Sequence, residues 1–221
     1  MSVRQRFLGN GVGAKALVAL TGLLLTGFVM AHLSGNLLVF AGPEALNKYA
    51  AGLQALGGLL WVARGGLLAV FIVHLGLAVK LSLENKAARP EKYQYEATME
   101  ATFASQHMFH TGFLIFAFAM LHLAHFTFRI LSAEVNAIPK EDVYGMMVAG
   151  FTNPVVSGLY ILAMAALALH LRHGVSSAFQ TVGIYHPTVN GLLSKLGPIV
   201  AFIVFVGFSS IPIAVMIGCV R

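Results

Sequence analysis

The stretch Ala16–Ala41 reads ALVALTGLLLTGFVMAHLSGNLLVFA. It has no charged side chain and exceeds the roughly 20 residues of helix that cross the hydrocarbon of a bilayer. Four further runs share its character: Leu59–Val79, Met108–Phe128, Val155–Leu171 and Gly197–Val220. The fourth is short, but Arg172 can snorkel and His173 can sit at headgroup level, which lengthens it by a turn. In lipid every backbone N–H and C=O must be satisfied within the segment, so such runs are read as helices. Of the 221 residues, 58% are hydrophobic and 10% charged, too few polar groups to cover the surface of a soluble domain. The sequence therefore predicts an all-α integral membrane protein, one domain over residues 1–221. Its five transmembrane helices fall at about 16–41, 59–80, 107–129, 154–174 and 196–220.

The first run is too long for a signal-peptide core and has no obvious small-residue cleavage site, so it is expected to stay as a membrane helix. Cys219 is the sole cysteine, which excludes an internal disulfide, a cysteine-based zinc site and an iron–sulfur cluster. The net charge of +6 comes from basic residues in short loops beside the apolar runs, where topology signals belong, and nucleic-acid binding is not expected. Arg4, Arg6, Lys15, Lys80, Lys86, Arg89, Lys92, Arg172 and Lys195 fall on one side. Lys48, Arg64, Arg129, Lys140 and Arg221 fall on the other. The positive-inside rule then puts the N-terminus in the cytoplasm and the C-terminus outside. Glu44 to Tyr49 reads as a short amphipathic or turn segment on the outer side. Glu84 to Glu100, broken by Pro90, reads as a solvated cytoplasmic loop. Pro154 stands at the start of the fourth helix, Pro187 and Pro198 bracket the start of the fifth, and Pro212 kinks it. No internal repeat stands out.

Four of these helices each carry a histidine at membrane depth: His32, His74, His122 and His170. Ionisable groups there are costly and are kept for function. Measured from the helix centres, His32 and His122 lie about 5–6 Å toward the outside, His74 about 7 Å and His170 about 10 Å toward the cytoplasm. Depth thus sorts them into an outer pair, His32 with His122, and an inner pair, His74 with His170. Paired imidazoles in a helical bundle are a way of holding haem. The expected arrangement is a four-helix bundle around two stacked haems b, each iron filled by two axial histidines and suited to carrying electrons. Gly27, Gly35, Gly66, Gly76, Gly112 and Gly158 are candidates for keeping the helices apart around a flat ring, or for close helix packing.

His125 and His173 follow two of the proposed ligands by three residues and share a face with them, as alternative ligands or partners of a haem propionate. Arg64, Arg129 and Arg172 are further propionate candidates, each equally readable as a helix-end anchor. His107 and His110 stand at the cytoplasmic start of the third helix, with contact to a quinone open for His110. His186 reads as surface. No acid lies within the apolar cores, which argues against a buried carboxylate relay.

Several motifs resemble the cytochrome b membrane-anchor subunits of succinate dehydrogenase and fumarate reductase. They are Gly13-Ala14-Lys15 with the helix that follows, His32-Leu33-Ser34-Gly35-Asn36-Leu37, Phe40-Ala41-Gly42-Pro43-Glu44-Ala45 with Asn47 and Tyr49, and His170-Leu171-Arg172-His173-Gly174 continuing Ser177 to Gly183. The resemblance runs over essentially the whole chain and points to the single-subunit, five-helix, di-haem branch. It implies a distal haem on His32 and His122, a proximal haem on His74 and His170, and electron transfer to or from a quinone, menaquinone in that branch. It also implies a flavoprotein subunit and an iron–sulfur subunit docked on the cytoplasmic face of a bacterial inner membrane. FAD and iron–sulfur clusters would reside only in those partners, because Gly9-Asn10-Gly11-Val12-Gly13 lacks the dinucleotide-binding spacing. Glu44, Tyr49 and His110 are the quinone-site residues it suggests, and it leaves room for a higher oligomer. Rival readings are a haem b anchor for a hydrogenase or formate dehydrogenase, and a transporter that relays protons through its histidines.

Overall fold

Apolar helix sides dominate the surface of this molecule. The computed structural model describes residues 11–88, 102–184 and 187–221, with the side chains of 187–190 set aside. Helix α1 (Gly11–Asn36) tightens into a 3-10 turn (Leu37–Ala41), and α2 (Pro43–Ala55) lies across that end of the bundle, here termed the outer end. Helix α3 (Gly58–Ala87) returns. After the short α4 (Phe103–Gln106), α5 (Met108–His122) crosses again and widens into an i→i+5 turn (Leu123–Thr127). Short α6 (Ala133–Ala137) and α7 (Val143–Phe151) complete the outer end. Helices α8 (Pro154–Thr181) and α9 (Pro187–Met216) make the last two passes. There is no strand among the described residues. Five helices, α1, α3, α5, α8 and α9, are long and apolar enough to cross a membrane. Trp61, Leu68 and Ile72 on α3 are each more than half exposed, and α3 buries no residue at all. Such continuous apolar faces suit lipid and not water.

The helix limits differ from the sequence reading in ways local chemistry explains. Helix α3 runs past Lys80 to Ala87, where Lys80 and Glu84 pair at 3.6 Å one turn apart. Helix α8 begins where expected, because Asn153 Oδ1 accepts from the N–H of Val155 at 2.9 Å and Pro154 occupies a position whose N–H is not needed. It continues beyond the apolar run to Thr181. Helix α9 starts at Pro187 and carries Pro198 within it, so Pro198 does not mark its start. Arg4, Arg6, Arg89, Lys92 and His186 lie outside the described residues, as does most of the Glu84–Glu100 loop.

Because lipid tails are as apolar as the helices, close approach rather than water expulsion drives helix packing. Helix α9 packs on α8 and α1 through two glycines. A side chain at Gly197 would collide with the carbonyl of Arg172, and Gly207 admits Leu33, whose Cδ1 would lie 2.8 Å from an added Cβ. Val204, fully buried, joins Leu171 and Val175 in that seam.

The outer end is held by polar contacts between α2 and α7. Asn47 Nδ2 donates to Asp142 Oδ1 at 2.9 Å, and Asn47 Oδ1 accepts from the N–H of Tyr144 at 2.9 Å. The N–H of Gly145 also donates to Asp142 Oδ1, at 2.9 Å. The Gly145 N–H first, and then Asn47, hold the Asp142 carboxyl below its usual value of 3.8. A depressed folded-state pKa stabilises the fold above the unfolded pKa and loses that contribution as pH falls through the folded value. Acidification below about pH 4 should therefore loosen the α2–α7 contact. The measurement is amide exchange at Tyr144 and Gly145, corrected for the intrinsic pH dependence. Asp142→Asn should flatten the response; a wild-type protection profile indifferent to pH would contradict it.

Candidate functional site

The four membrane-depth histidines come one each from α1, α3, α5 and α8. These helices form a ring in which α1 and α5 each pack beside α3 and α8, while the diagonals α1/α5 and α3/α8 make at most marginal backbone contact. His32 and His122 belong to one diagonal, His74 and His170 to the other, so each pair looks across the bundle centre. The rings of His32 and His122 have centres 5.9 Å apart and planes crossed at 80°. Two imidazoles bound to one metal at about 2 Å per nitrogen have ring centres about 6 Å apart. His74 and His170 are close enough for charge on one to be felt by the other.

The inner pair is held by two residues that the pattern of apolar runs does not single out. His74 Nδ1 lies 3.0 Å from Thr21 Oγ1 and 3.2 Å from the Val18 carbonyl. Thr21 donates its one hydroxyl proton back to the Leu17 carbonyl at 2.6 Å, so toward His74 it can only accept. A carbonyl also only accepts. His74 must therefore carry its proton on Nδ1, leaving Nε2 bare, which is the metal-binding form of imidazole. The same construction recurs at His170. Its Nδ1 is 3.2 Å from Thr111 Oγ1, whose hydroxyl donates to the His107 carbonyl at 3.0 Å. Glycine follows each threonine. A Cβ on Gly22 would stand 3.1 Å from His74 Cε1, and one on Gly112 would stand 3.5 Å from His170 Cε1.

This recurrence exposes a local repeat that the whole chain hides. Helix α1 reads Thr21-Gly22, Leu24, Phe28, Met30, His32, and α5 reads Thr111-Gly112, Leu114, Phe118, Met120, His122 in the same register. Eleven residues are about three helical turns, so the threonine and the histidine of each copy share a face, about 16 Å apart along the axis. The threonine receives the histidine of the next membrane helix, which places the inner pair; the repeat's own histidine places the outer pair. The phenylalanine packs on that histidine in both copies, with ring centres at 5.4 Å for Phe28–His32 and 5.8 Å for Phe118–His122.

The outer pair has weaker holders. His32 Nδ1 is 3.3 Å from Asn36 Nδ2, an amide nitrogen that can only donate, so this contact places the His32 proton on Nε2, opposite to the inner pair. His122 Nδ1 is 3.4 Å from the Tyr160 hydroxyl. Tyr160 also reaches His125 Nδ1 at 3.0 Å, which makes the buried His125 a neighbour of His122 through that hydroxyl.

Other residues marked by the sequence fall elsewhere. Arg129, at φ 57°, ends the third pass in the left-handed region, at a cost on the order of 1–2 kcal/mol. Its guanidinium donates to the carbonyl of Ile138 at 2.7 Å and to Met146 Sδ at 3.1 Å, so it clamps the outer loop. Arg64 is exposed and stacks on Trp61 at 5.0 Å, as a helix-end anchor does. Arg172 is exposed, and His173 is half-buried near His170. Glu44 is exposed in the first turn of α2, where the helix dipole favours an acid. The Tyr49 ring covers Gly35, one turn from His32, and takes the space a side chain there would need. His110 sits exposed in a shallow groove with Phe109, Phe113 and Leu114. Of the six glycines considered as spacers, only Gly112 meets a membrane-depth histidine; a Cβ on Gly27, Gly66, Gly76 or Gly158 would touch nothing.

Among the described residues no three His, Cys, Asp or Glu side chains gather as a metal-ion cluster. Each histidine pair therefore supplies two imidazoles and, among the described residues, no third His, Cys, Asp or Glu. That donor set fits a metal already held by a flat macrocycle and not a bare ion. A scan against family models, a search of curated proteins and a search of solved structures each find no match.

Proposed function

We propose that this chain is the membrane-anchor cytochrome b subunit of a succinate:quinone oxidoreductase, holding two haems b and exchanging electrons between an iron–sulfur partner and a membrane quinone. The observation that carries the reading is the pair of diagonal histidine sets, the inner one held at Nδ1 by Thr21 and Thr111. His32 and His122 would hold the outer haem, His74 and His170 the inner. Bound haem supplies one-electron redox chemistry with no open coordination position. The chain's own residues fix the ligand rings, exclude water and set two centres about 16 Å apart along the bundle axis.

The family motifs around His32, Glu44 and His170 support the particular complex. On this reading the N-terminal side faces the cytoplasm of a bacterial inner membrane and docks a flavoprotein and an iron–sulfur subunit, and the quinone is menaquinone. The chain does no dicarboxylate chemistry alone. Purification of the native complex tests this on one sample. A reduced-minus-oxidised spectrum should show haem b at two per chain, with covalent flavin co-purifying and succinate reducing the haem. A colourless protein would overturn the haem reading. Haem without flavin, and with no response to succinate, would move the chain to an anchor for another respiratory dehydrogenase.

A further inference from the structure

A cavity of about 580 Å³ opens at the outer end between α5, α7 and α8. Its volume falls in the roughly 300–1,000 Å³ range of small-molecule sites. Leu131 and Leu159 stand on its walls and are about half exposed, so an apolar tail can leave toward lipid. Its innermost lining is the buried pair His125 and Tyr160.

The hydrogen-bond inventory of the polar lining specifies the ligand. Ser132 Oγ donates to Glu134 Oε2 at 2.8 Å, and Thr152 Oγ1 donates to the Ala149 carbonyl at 2.8 Å, so neither offers a proton to the cavity. Glu134 offers acceptors only. Asn153 Oδ1 caps α8, which leaves its Nδ2 without a partner among the described residues. At His125 the polarity follows from the outer metal site, so this step rests on the reading above. If His122 binds metal through Nε2, its Nδ1–H faces the Tyr160 oxygen, and the Tyr160 proton must go to His125 Nδ1. His125 then carries its own proton on Nε2, for which the described residues supply no acceptor. Ser209 Oγ is the only sealed-off polar side-chain atom among them without a partner, so His125 Nε2 reaches the cavity.

Two free N–H donors in a lipid-accessible slot match a flat ring with two carbonyl oxygens. We propose that this cavity binds the ring of a lipid quinone, His125 Nε2–H donating to one carbonyl and Asn153 Nδ2 to the other. Tyr160 positions His125 and joins the bound ring to the outer ligand His122. This places the quinone against α5 and α8, away from the α2 segment of Glu44 and Tyr49, neither of which lines the cavity. The groove at His110, about 270 Å³, exposes no polar surface.

The test is photolabelling of the purified full-length chain with an azido-1,4-naphthoquinone, competed by 2,3-dimethyl-1,4-naphthoquinone and mapped by mass spectrometry. Competed label is expected on peptides covering 121–134 and 149–160. It should fall at least tenfold in Leu159→Trp, which fills the cavity from its lipid side, and the competitor's affinity should fall about tenfold in His125→Gln. Competed label on 43–55 or 108–114, or none anywhere, overturns the proposal. The haem spectrum of the same samples separates the two readings. Absent haem defeats the haem assignment and with it the His125 donor, whereas intact haem with label elsewhere defeats the quinone site alone.

Discussion

Replacing any one of the four membrane-depth histidines by alanine is expected to lower the haem content from two per chain to one, and double replacements should reveal how the ligands are paired. His32→Ala with His122→Ala removes both ligands of one site and should leave one haem. His32→Ala with His74→Ala removes one ligand from each and should leave none. The expectation follows from helix order: the members of each pair lie on diagonal helices facing the bundle centre, with 5.9 Å between the outer rings. Were His32 paired instead with His74, the outcomes would invert, and the His32/His74 double variant would keep a haem; were it paired with His170, neither double variant would keep one. The readout is pyridine haemochrome absorbance per protein. Retention of the histidine-deleted proteins in detergent by size exclusion guards against simple unfolding. Equal haem in the two double variants would falsify the pairing whatever the cofactor proves to be.

Much of this was legible in the sequence, and the reason is that lipid imposes a severe grammar. Five apolar runs, four of them without a charged side chain, can scarcely be anything but helices, and a histidine within one is conspicuous against Leu, Ala and Val. Depth along a helix is a matter of counting, so the two layers could be read before any coordinates. Facing is harder. His125 follows His122 by three residues and looks equivalent to it, but the wide turn at Leu123–Thr127 carries it toward Tyr160 instead. Nor does depth show that the Arg129 guanidinium meets the Ile138 carbonyl of the outer loop. Threonine is ordinary in membrane helices, so Thr21 and Thr111 carry no composition signal. Their signal is register: each stands eleven residues before a histidine, with glycine next to it. The intervening positions have diverged, so a search for end-to-end similarity passes over it. The outer-end cavity was illegible for a different reason. It is assembled from α5, α7 and α8 by loop geometry, and no single segment bears its mark.

Thr21→Val and Thr111→Val should each weaken the inner haem and spare the outer one. Valine keeps the shape of threonine and removes the oxygen that accepts from the histidine Nδ1–H. Loss of such a partner around a metal-ligating histidine typically costs 10- to 100-fold in affinity. The lower end is expected at His74, because its ring has the Val18 carbonyl in reserve three residues before the threonine. A tenfold effect is about 1.4 kcal/mol, close to the worth of one hydrogen bond. Serine keeps the acceptor, so Thr21→Ser and Thr111→Ser should hold haem nearly as the parent does. Thr26→Val is the control. Thr26 also sits within α1 and back-bonds to the Gly22 carbonyl at 2.8 Å, but it holds no histidine. The measurement is the rate of haem transfer to an excess of apo-acceptor, following inner and outer haem by their separate reduced bands. If the threonine is merely helix filling, all three valine variants behave alike. If it sets the tautomer, only the two repeat positions respond, because the repeat gives each histidine a threonine acceptor.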